Sequence, residues 1–376
     1  MTRTEKLLRE LIALPSVNPA FLPAGDRNAG EQKVTEFLAS VAAKNGLEID
    51  LLPVLPGRSN LLARLSPTGP VRHRLLLAPH LDTVDAAERQ FIPRKANGRL
   101  YGRGACDTKG SVAAMLSAVC LLARSSNRPK HTEVVFAGLI DEENVQAGSR
   151  ALVAEGYGAD LAIVGEATRL KVVTAHKGCL WLQLRTQGRS AHGSRPELGL
   201  NAVHAMAKVV DTIETVYAAV LLRRRHPLLG HPTVSVGAIR GGTQANIVPD
   251  SCVISVDRRT LPGETATGVE RELSTLLAKN KLRAVVTTSA NQAPCLPLET
   301  DSRLPFVRQF LASARQRQPA GMNYFCDASV LACGGIPSVV FGPGDIAQAH
   351  TSDEWISLES LARAEAMLLH YFQTLP

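Results

Sequence analysis

The chain has 376 residues, 45% of them hydrophobic and 20% charged, so a packed core is expected and global disorder is excluded. No apolar run reaches the roughly 18–20 residues of a membrane span, and the amphipathic pattern of residues 4–14 predicts a helix rather than a signal peptide. The formal net charge is +8, but aromatic residues make up only 4%, so neither a nucleic acid nor a membrane is expected as a partner.

The first part of the chain alternates helix and strand patterns. The helical patterns cover residues 4–14, 28–45 and 108–124, and continuous apolar runs cover residues 74–79, 132–140 and 159–165. Such apolar runs are typical of strands that are buried on both faces. The alternation predicts an α/β domain with a mostly parallel sheet and helices on its faces.

The middle of the chain follows a different order. From about residue 172 the patterns run strand, helix, strand, strand, helix, strand, which is the order of a βαββαβ, ferredoxin-like α+β domain. The α/β pattern then resumes with a helix at 303–317, a strand at 337–342 and a helix at 358–374. We therefore predict one catalytic domain formed by residues 1–173 and 290–376, interrupted by an inserted domain at 174–289.

Polar residues follow the predicted strands at their carboxyl ends, where open α/β sheets bind ligands. They are His80 and Asp82 after the first apolar run, Glu142 and Glu143 after the second, Glu166 after the third and His350 after residues 337–342, with Asp107 in a loop before a helix. Imidazole and carboxylate ligands suit zinc, and a two-metal site needs about five ligands with one carboxylate shared. The set His80, Asp107, Glu143, Glu166 and His350 meets that requirement.

The remaining polar residues at these ends have complementary roles in this hypothesis. Asp82 is placed to orient the imidazole of His80, and Glu142 is placed to act as the general base of a hydrolase. Each residue alone has an ordinary structural explanation: Asp107 as a helix N-cap, His80 as a strand-end histidine, and Glu142 with Glu143 as a solvated turn. Their joint occurrence at strand ends favours the metal site.

The motifs P-H-L-D-T-V, G-R-G-A-C-D-T-K-G, D-E-E, V-G-E-A-T and A-Q-A-H-T-S-D-E-W resemble, in order, those of the zinc amidohydrolase and metallopeptidase family. That family includes deacetylases, desuccinylases, aminoacylases and carboxypeptidases. The resemblance implies His80, Asp107, Glu143, Glu166 and His350 as ligands of two divalent ions (zinc, with cobalt as a substitute) and Asp107 as the bridging ligand. It also implies Glu142 as the base, Asp82 behind His80, and a cis peptide bond between Asp107 and Thr108.

The inserted domain carries further motifs that resemble the family's lid or dimerisation domain, around His192, Asn246 and Arg259. The resemblance implies that His192 steadies the oxyanion, that Arg259 binds the substrate carboxylate and that Asn246 lines the same pocket. It also implies a homodimer in which His192 reaches the partner subunit's site. The alternatives are a loop histidine, a surface charge and a turn-forming asparagine.

The substrate is the least constrained feature of the sequence. The segment N-Y-F-C-D-A at 323–328 resembles the pattern of enzymes that deacetylate N-acetyl-ornithine in amino-acid biosynthesis, and Asp327 is a candidate partner for a cationic substrate group. Asp327 is otherwise a carboxylate at a helix N-terminus. The expected substrate is an N-acyl amino acid or a peptide. Desuccinylase, dipeptidase or carboxypeptidase activity, and a catalytically inactive binding protein, are the alternatives.

The chain contains seven cysteines and no C-x-x-C pair. An odd number without paired spacing argues against a disulfide framework and favours reduced thiols, so a cytoplasmic enzyme is expected.

Overall fold

The structure, a computed structural model, describes residues 1–289 and 295–376. The α-helices of these residues are α1 (Arg3–Ile12), α2 (Gln32–Ala43), α3 (Lys109–Ala123), α4 (Ala147–Ala154), α5 (Ala202–Thr212), α6 (Ala218–Leu222), α7 (Ala266–Lys279), α8 (Pro305–Ser313), α9 (Ala328–Cys333) and α10 (Leu358–Gln373). The strands are β1 (Glu48–Leu55), β2 (Arg58–Leu65), β3 (His73–Pro79), β4 (Arg94–Ala96), β5 (Arg99–Tyr101), β6 (Thr132–Gly138), β7 (Leu161–Gly165), β8 (Val173–His176), β9 (Gly178–Gln187), β10 (Thr233–Gly241), β11 (Ser251–Thr260), β12 (Val285–Thr288), β13 (Leu298–Glu299), β14 (Ala320–Met322), β15 (Ser338–Val340) and β16 (Trp355–Ser357).

The chain divides into two units. The first contains Met1–Thr174, Thr300–Ala320 and Cys326–Pro376, and the second contains Ala175–Glu299 and Gly321–Phe325. The sequence assigned all of 290–376 to the catalytic domain, whereas residues 295–299 and 321–325 group with the second unit. They do so because β13 pairs with the second half of β8 and because the Lys177 amide donates to the carbonyl of Met322. Residues 290–294, beside the predicted boundary, lie outside the described residues.

The central sheet of the first unit is built on parallel strands. Its strands follow the order β1-β2-β6-β3-β7-β15, and Val173 at the start of β8 pairs with Val340 of β15. The neighbours β6, β3, β7 and β15 are parallel, while β1 and β2 are antiparallel at one edge. The predicted α/β class with a mostly parallel central sheet is confirmed. A separate small antiparallel sheet joins β16, β5 and β4.

Helix α3 is the central helix of the first unit. Its sequence, KGSVAAMLSAVCLLA, is apolar on every side, and 13 of its 15 residues are buried, as expected for a helix without a solvent face. It packs against strands β3, β6 and β7 and against helices α1 and α10. The residue before its N-cap is Asp107, which is therefore attached to one of the most enclosed elements of the unit.

The second unit has the predicted βαββαβ order. Strands β9, β10, β11 and β12 form an antiparallel sheet in the order β10-β11-β9-β12. Alternate residues of β9 are buried, which matches the period of two expected for a sheet with one covered face. The buried residues pack with those of α5 and α7 in a separate core that includes Leu184, Ile254, Met206 and Leu273. The predicted inserted α+β domain is confirmed as a fold.

No helix in the described part of the chain combines the length and apolarity needed to cross a membrane.

Close packing between α3 and the sheet yields a stability prediction. A Cβ atom on Gly165, the last residue of β7, would lie 2.8 Å from Cβ of Pro79 and 2.9 Å from Cβ of Ser111. We expect Gly165→Ala to lower the free energy of unfolding of the metal-free protein by about 1–3 kcal/mol, because overpacking forces these elements apart. Denaturant unfolding measures the change. Gly158→Ala is the matched control, since no atom lies within 4 Å of its added methyl group. Equal stability of the two variants would contradict the prediction.

Candidate active site

Three neighbouring parallel strands end at one edge of the sheet and present polar side chains there. His80 directly follows β3, Glu166 directly follows β7, and Glu142 and Glu143 follow β6 after a short turn. Because β6, β3 and β7 are adjacent and parallel, their carboxyl ends meet at the same edge. The order of strands therefore brings together residues that are far apart in the sequence.

Asp107 lies between two histidines. Its Oδ1 atom is 3.1 Å from Nε2 of His80, and its Oδ2 atom is 3.3 Å from Nε2 of His350. His80 Nε2 also lies 3.9 Å from Glu166 Oε1, and His350 Nε2 lies 3.2 Å from Glu143 Oε2. The five predicted ligand residues thus form two groups that share the carboxylate of Asp107.

The backbone around Asp107 and His350 has unusual conformations. The peptide bond between Asp107 and Thr108 is cis, as the resemblance implied. The hydroxyl of Thr108 donates a hydrogen bond of 2.8 Å to the carbonyl of Gly165, next to Glu166. His350 has a left-handed φ of 60°, a conformation that is uncommon for residues other than glycine.

Several carboxylates lie close together at this site and are shielded from water. Burial raises the pKa of Glu142, Glu143 and Glu166, and the charges of neighbouring carboxylates raise all three further. Burial disfavours the charged form of Asp107 too, but hydrogen bonds with His350 and His80 lower its pKa well below its usual range. This clustering of carboxylates requires positive charge nearby.

The two histidines supply part of that charge when the site holds no other cation. Burial lowers the pKa of His80, but its hydrogen bonds with Asp107 and Asp82 outweigh burial and raise the pKa well above the usual value. Hydrogen bonds with Asp107 and Glu143 raise the pKa of His350 to about 10. Each imidazole therefore takes up a proton because it faces carboxylates.

The donor set fits divalent cations. His80, Asp107 and Glu143 offer ligand atoms that all lie within 4.8 Å of one another, and Glu166 and His350 lie at the distances given above. Imidazole nitrogen and carboxylate oxygen are the ligands that zinc and similar ions take in hydrolases. A bound cation would replace the protons on the histidines and neutralise the carboxylates.

Asp82 lies behind His80 and connects it to the turn that carries the glutamates. Nδ1 of His80 is 3.0 Å from the backbone oxygen of Asp82 and 3.4 Å from its Oδ1 atom. The Asp82 carboxylate also accepts hydrogen bonds of 3.1 Å from the backbone N–H groups of Glu142 and Glu143. A third bond, of 2.8 Å, comes from the amide of Asn18. Asp82 thus fixes two neighbouring strand ends relative to each other.

Asp327 is buried in the first unit, immediately before α9. Its Oδ1 atom accepts a hydrogen bond of 2.6 Å from the hydroxyl of Ser149, while its Oδ2 atom is buried without a hydrogen-bond partner. Burial raises its pKa to about 6, and its charge in turn raises the pKa of Glu142 and Glu166. Asp327 therefore lies near the edge of the sheet that carries Glu142 and Glu166.

The other three predicted substrate residues belong to the second unit. His192 is exposed, and its Nδ1 atom is 2.7 Å from the hydroxyl of Ser194. The loop of Asn246 runs beside it, since the N–H of Gly193 donates to the carbonyl of Asn246. Arg259 is half-buried on β11, and its Nε atom donates a hydrogen bond of 2.9 Å to Asp257. The structure thus brings His192 and Asn246 together on neighbouring loops.

Sequence reasoning did not single out several buried residues that support the site. Asn18 bridges Asp82 and Asp141 through its side-chain amide, and Glu354 contacts the loop that precedes Asp107. Asn18 lies in a segment without periodicity. Glu354 lies in one of the quoted motifs, but a single acidic residue there had no distinguishing pattern.

Two imidazoles and a cluster of buried carboxylates at the carboxyl edge of an α/β sheet define the site of a metal-dependent hydrolase. Residues 76–374 match the model of peptidase family M20/M25/M40, and the chain belongs to this family. It is therefore a hydrolytic enzyme, a metal-dependent amidohydrolase, and the predicted family and enzyme class are confirmed.

Relatives and solved structures extend the similarity to nearly the whole chain. The acetylornithine deacetylase of Proteus mirabilis (strain HI4320) is 32% identical over 368 residues, covering 94% of this chain and 92% of that protein. The aminopeptidase PepT of Bacillus cereus ATCC 10987 superposes with a TM-score of 0.78 at 22% identity, covering 99% of this chain and 97% of the other. The YXEP protein of Bacillus subtilis, a dinuclear metal-binding peptidase, superposes with a TM-score of 0.71 at 15% identity, covering 99% and 97%.

Proposed function

We propose that this enzyme removes the acetyl group from N-acetyl-ornithine with two zinc ions, which His80, Asp107, Glu143, Glu166 and His350 would bind. The observation that carries the proposal is that the two oxygens of Asp107 face different histidines, at 3.1 and 3.3 Å. A carboxylate placed in this way can serve as the shared ligand of a two-metal site. Similarity to acetylornithine deacetylases at 32% identity over most of the chain supports the choice of substrate.

The ligands would divide between the ions according to their contacts. His80 and Glu166 are neighbours on one side of Asp107, and His350 and Glu143 are neighbours on the other. When bound, the two ions would polarise the amide carbonyl and lower the pKa of the attacking water. Asp82 keeps the ring of His80 oriented through the contacts at its Nδ1 atom.

Glu142 is the proposed general base and acid. It lies near His80 and Glu166, whose charges affect its pKa, yet it is outside the two ligand groups. Its carboxylate accepts a proton from the attacking water and then delivers that proton to the nitrogen of the leaving amine. The adjacent Glu143 points to His350 instead, so the two neighbouring glutamates have different tasks.

We propose one substrate contact for each of the four predicted substrate residues. Arg259 binds its free carboxylate, His192 steadies the developing negative charge on the amide oxygen, and Asn246 lines the same pocket. Asp327 recognises the cationic side chain, and its unpartnered Oδ2 atom supports this role. The ion pair between Arg259 and Asp257 fixes the direction of the guanidinium group.

Replacement of Glu142 tests the mechanism. We expect Glu142→Gln to lower kcat about 10²- to 10⁴-fold, because the amide keeps the size of the side chain but cannot accept the proton. Metal content by mass spectrometry should stay unchanged. Glu155→Gln, at an exposed position after α4, is the control and should retain full activity. Near-normal turnover in a metal-replete Glu142→Gln protein would refute the role.

Substrate choice is tested with a panel of N-acetyl-ornithine, N-acetyl-citrulline, N-succinyl-diaminopimelate and dipeptides. We expect the highest kcat/KM for N-acetyl-ornithine. Asp327→Asn should reduce that value about 10-fold more than the value for N-acetyl-citrulline, because only the ornithine side chain is charged. An equal loss of kcat/KM for both substrates would show that Asp327 does not recognise the charge of the substrate side chain. A higher kcat/KM for another member of the panel would show that N-acetyl-ornithine is not the preferred substrate.

We further propose a homodimer in which His192 completes the partner subunit's site. Mixing inactive Glu142→Gln protein with inactive His192→Ala protein should then restore some activity, because a mixed dimer contains one site with both residues intact. Fluorescence labels on the two variants report subunit exchange. Exchange without recovered activity would show that His192 does not act in the partner's site.

A further inference from the structure

Glu354 is a buried carboxylate that binds the loop leading to Asp107. Its Oε1 atom accepts hydrogen bonds from the backbone N–H groups of Cys106, at 2.8 Å, and Asp107, at 3.0 Å. Its Oε2 atom accepts from the N–H of Gly104, at 3.0 Å, and from Nη1 of Arg103, at 2.7 Å. The residue is 1% exposed. Four donors from five consecutive residues therefore converge on one side chain.

The same short segment also carries His350. The ring of His350 faces the side chain of Asp107, while Glu354, four residues later, binds the backbone of Asp107. The carbonyl of Glu354 additionally accepts a hydrogen bond of 3.0 Å from the N–H of Gly102. Residues 350–354 thus contact the Asp107 loop at its backbone and at its functional side chain.

We propose that Glu354 is a positioning residue for the metal centre. It holds Asp107 and His350 at the separation that a cation bound to both residues requires. This inference rests on the proposed function, because it presupposes that Asp107 and His350 are ligands. Glu354 does not touch the reacting atoms. Its hydrogen bonds hold the backbone of Asp107, one proposed ligand, against the segment that carries His350, the other proposed ligand.

The chemistry of the side chain explains why a carboxylate is needed at this position. All four groups that face it are N–H donors, and only an ionised carboxylate offers acceptors alone. A glutamine would direct its own amide hydrogens at one pair of these donors. An aspartate would keep the charge but is shorter by one carbon–carbon bond, about 1.5 Å, so it cannot reach all three backbone groups.

The test uses Co²⁺ binding to the metal-free full-length protein, followed by visible absorption. We expect Glu354→Gln to weaken the affinity for at least one Co²⁺ ion about 10- to 100-fold, as replacement of residues that orient metal ligands commonly does, and to alter the absorption bands. Glu359→Gln is the matched control, because Glu359 lies five residues later on the exposed first turn of α10. It should bind Co²⁺ like the unaltered protein.

Circular dichroism and thermal unfolding of the metal-free variants show whether each one folds. A folded Glu354→Gln protein with unaltered Co²⁺ affinity and spectrum would overturn the positioning role. If Glu354→Gln does not fold, Glu354→Asp decides, because it retains the buried charge beside Arg103; a loss of at least about 10-fold supports the proposal and unaltered affinity overturns it. Absence of Co²⁺ binding by the unaltered protein would instead refute the metal site itself.

Discussion

Buried negative charge at the carboxyl edge of the sheet is the constraint on which the rest of the structure depends. Asp107, Glu142, Glu143 and Glu166 lie together where water cannot solvate them fully, and an unpaired buried carboxylate costs several kcal/mol. The protein offsets this cost with two imidazoles, those of His80 and His350, and with backbone amides from the loops around them. A site that is stable only with added positive charge is prepared to bind divalent cations.

The fold provides this arrangement through elements that are themselves fully enclosed. Helix α3 has no solvent face, and the loop before it must end in a fixed geometry at Asp107. The parallel strands β6, β3 and β7 end at or shortly before His80, Glu142, Glu143 and Glu166, so these side chains reach the site without long loops. Two further acidic residues, Asp82 and Glu354, accept hydrogen bonds from backbone N–H groups of the loops at the site. Part of the negative charge is thus used to fix loops, and part is available for the reaction.

Much of this could be predicted from the sequence because each piece has a local pattern. Continuous apolar runs located the strands, and the first polar residues after them, such as His80 and Glu166, lie together at the sheet edge. Asn18 and Glu354 left no such pattern, since their importance depends on the distant groups that they meet after folding, which are carboxylates for Asn18 and backbone amides for Glu354. The boundary between the units was misplaced for a similar reason: β13 has only two residues, too few for any periodicity.

The proposed site residues of the two units differ in what their replacement would cost. The proposed metal ligands and the proposed base all belong to the first unit, whereas His192, Asn246 and Arg259 belong to the second. Replacing one of the buried carboxylates or histidines at the edge of the sheet would change the balance of buried charge there. His192 is exposed and Arg259 is half-buried, so replacing either side chain should cost little folding free energy. We therefore expect replacements of His192 or Arg259 to leave the free energy of unfolding nearly unchanged, whereas replacements among the charged residues at the edge of the sheet change it.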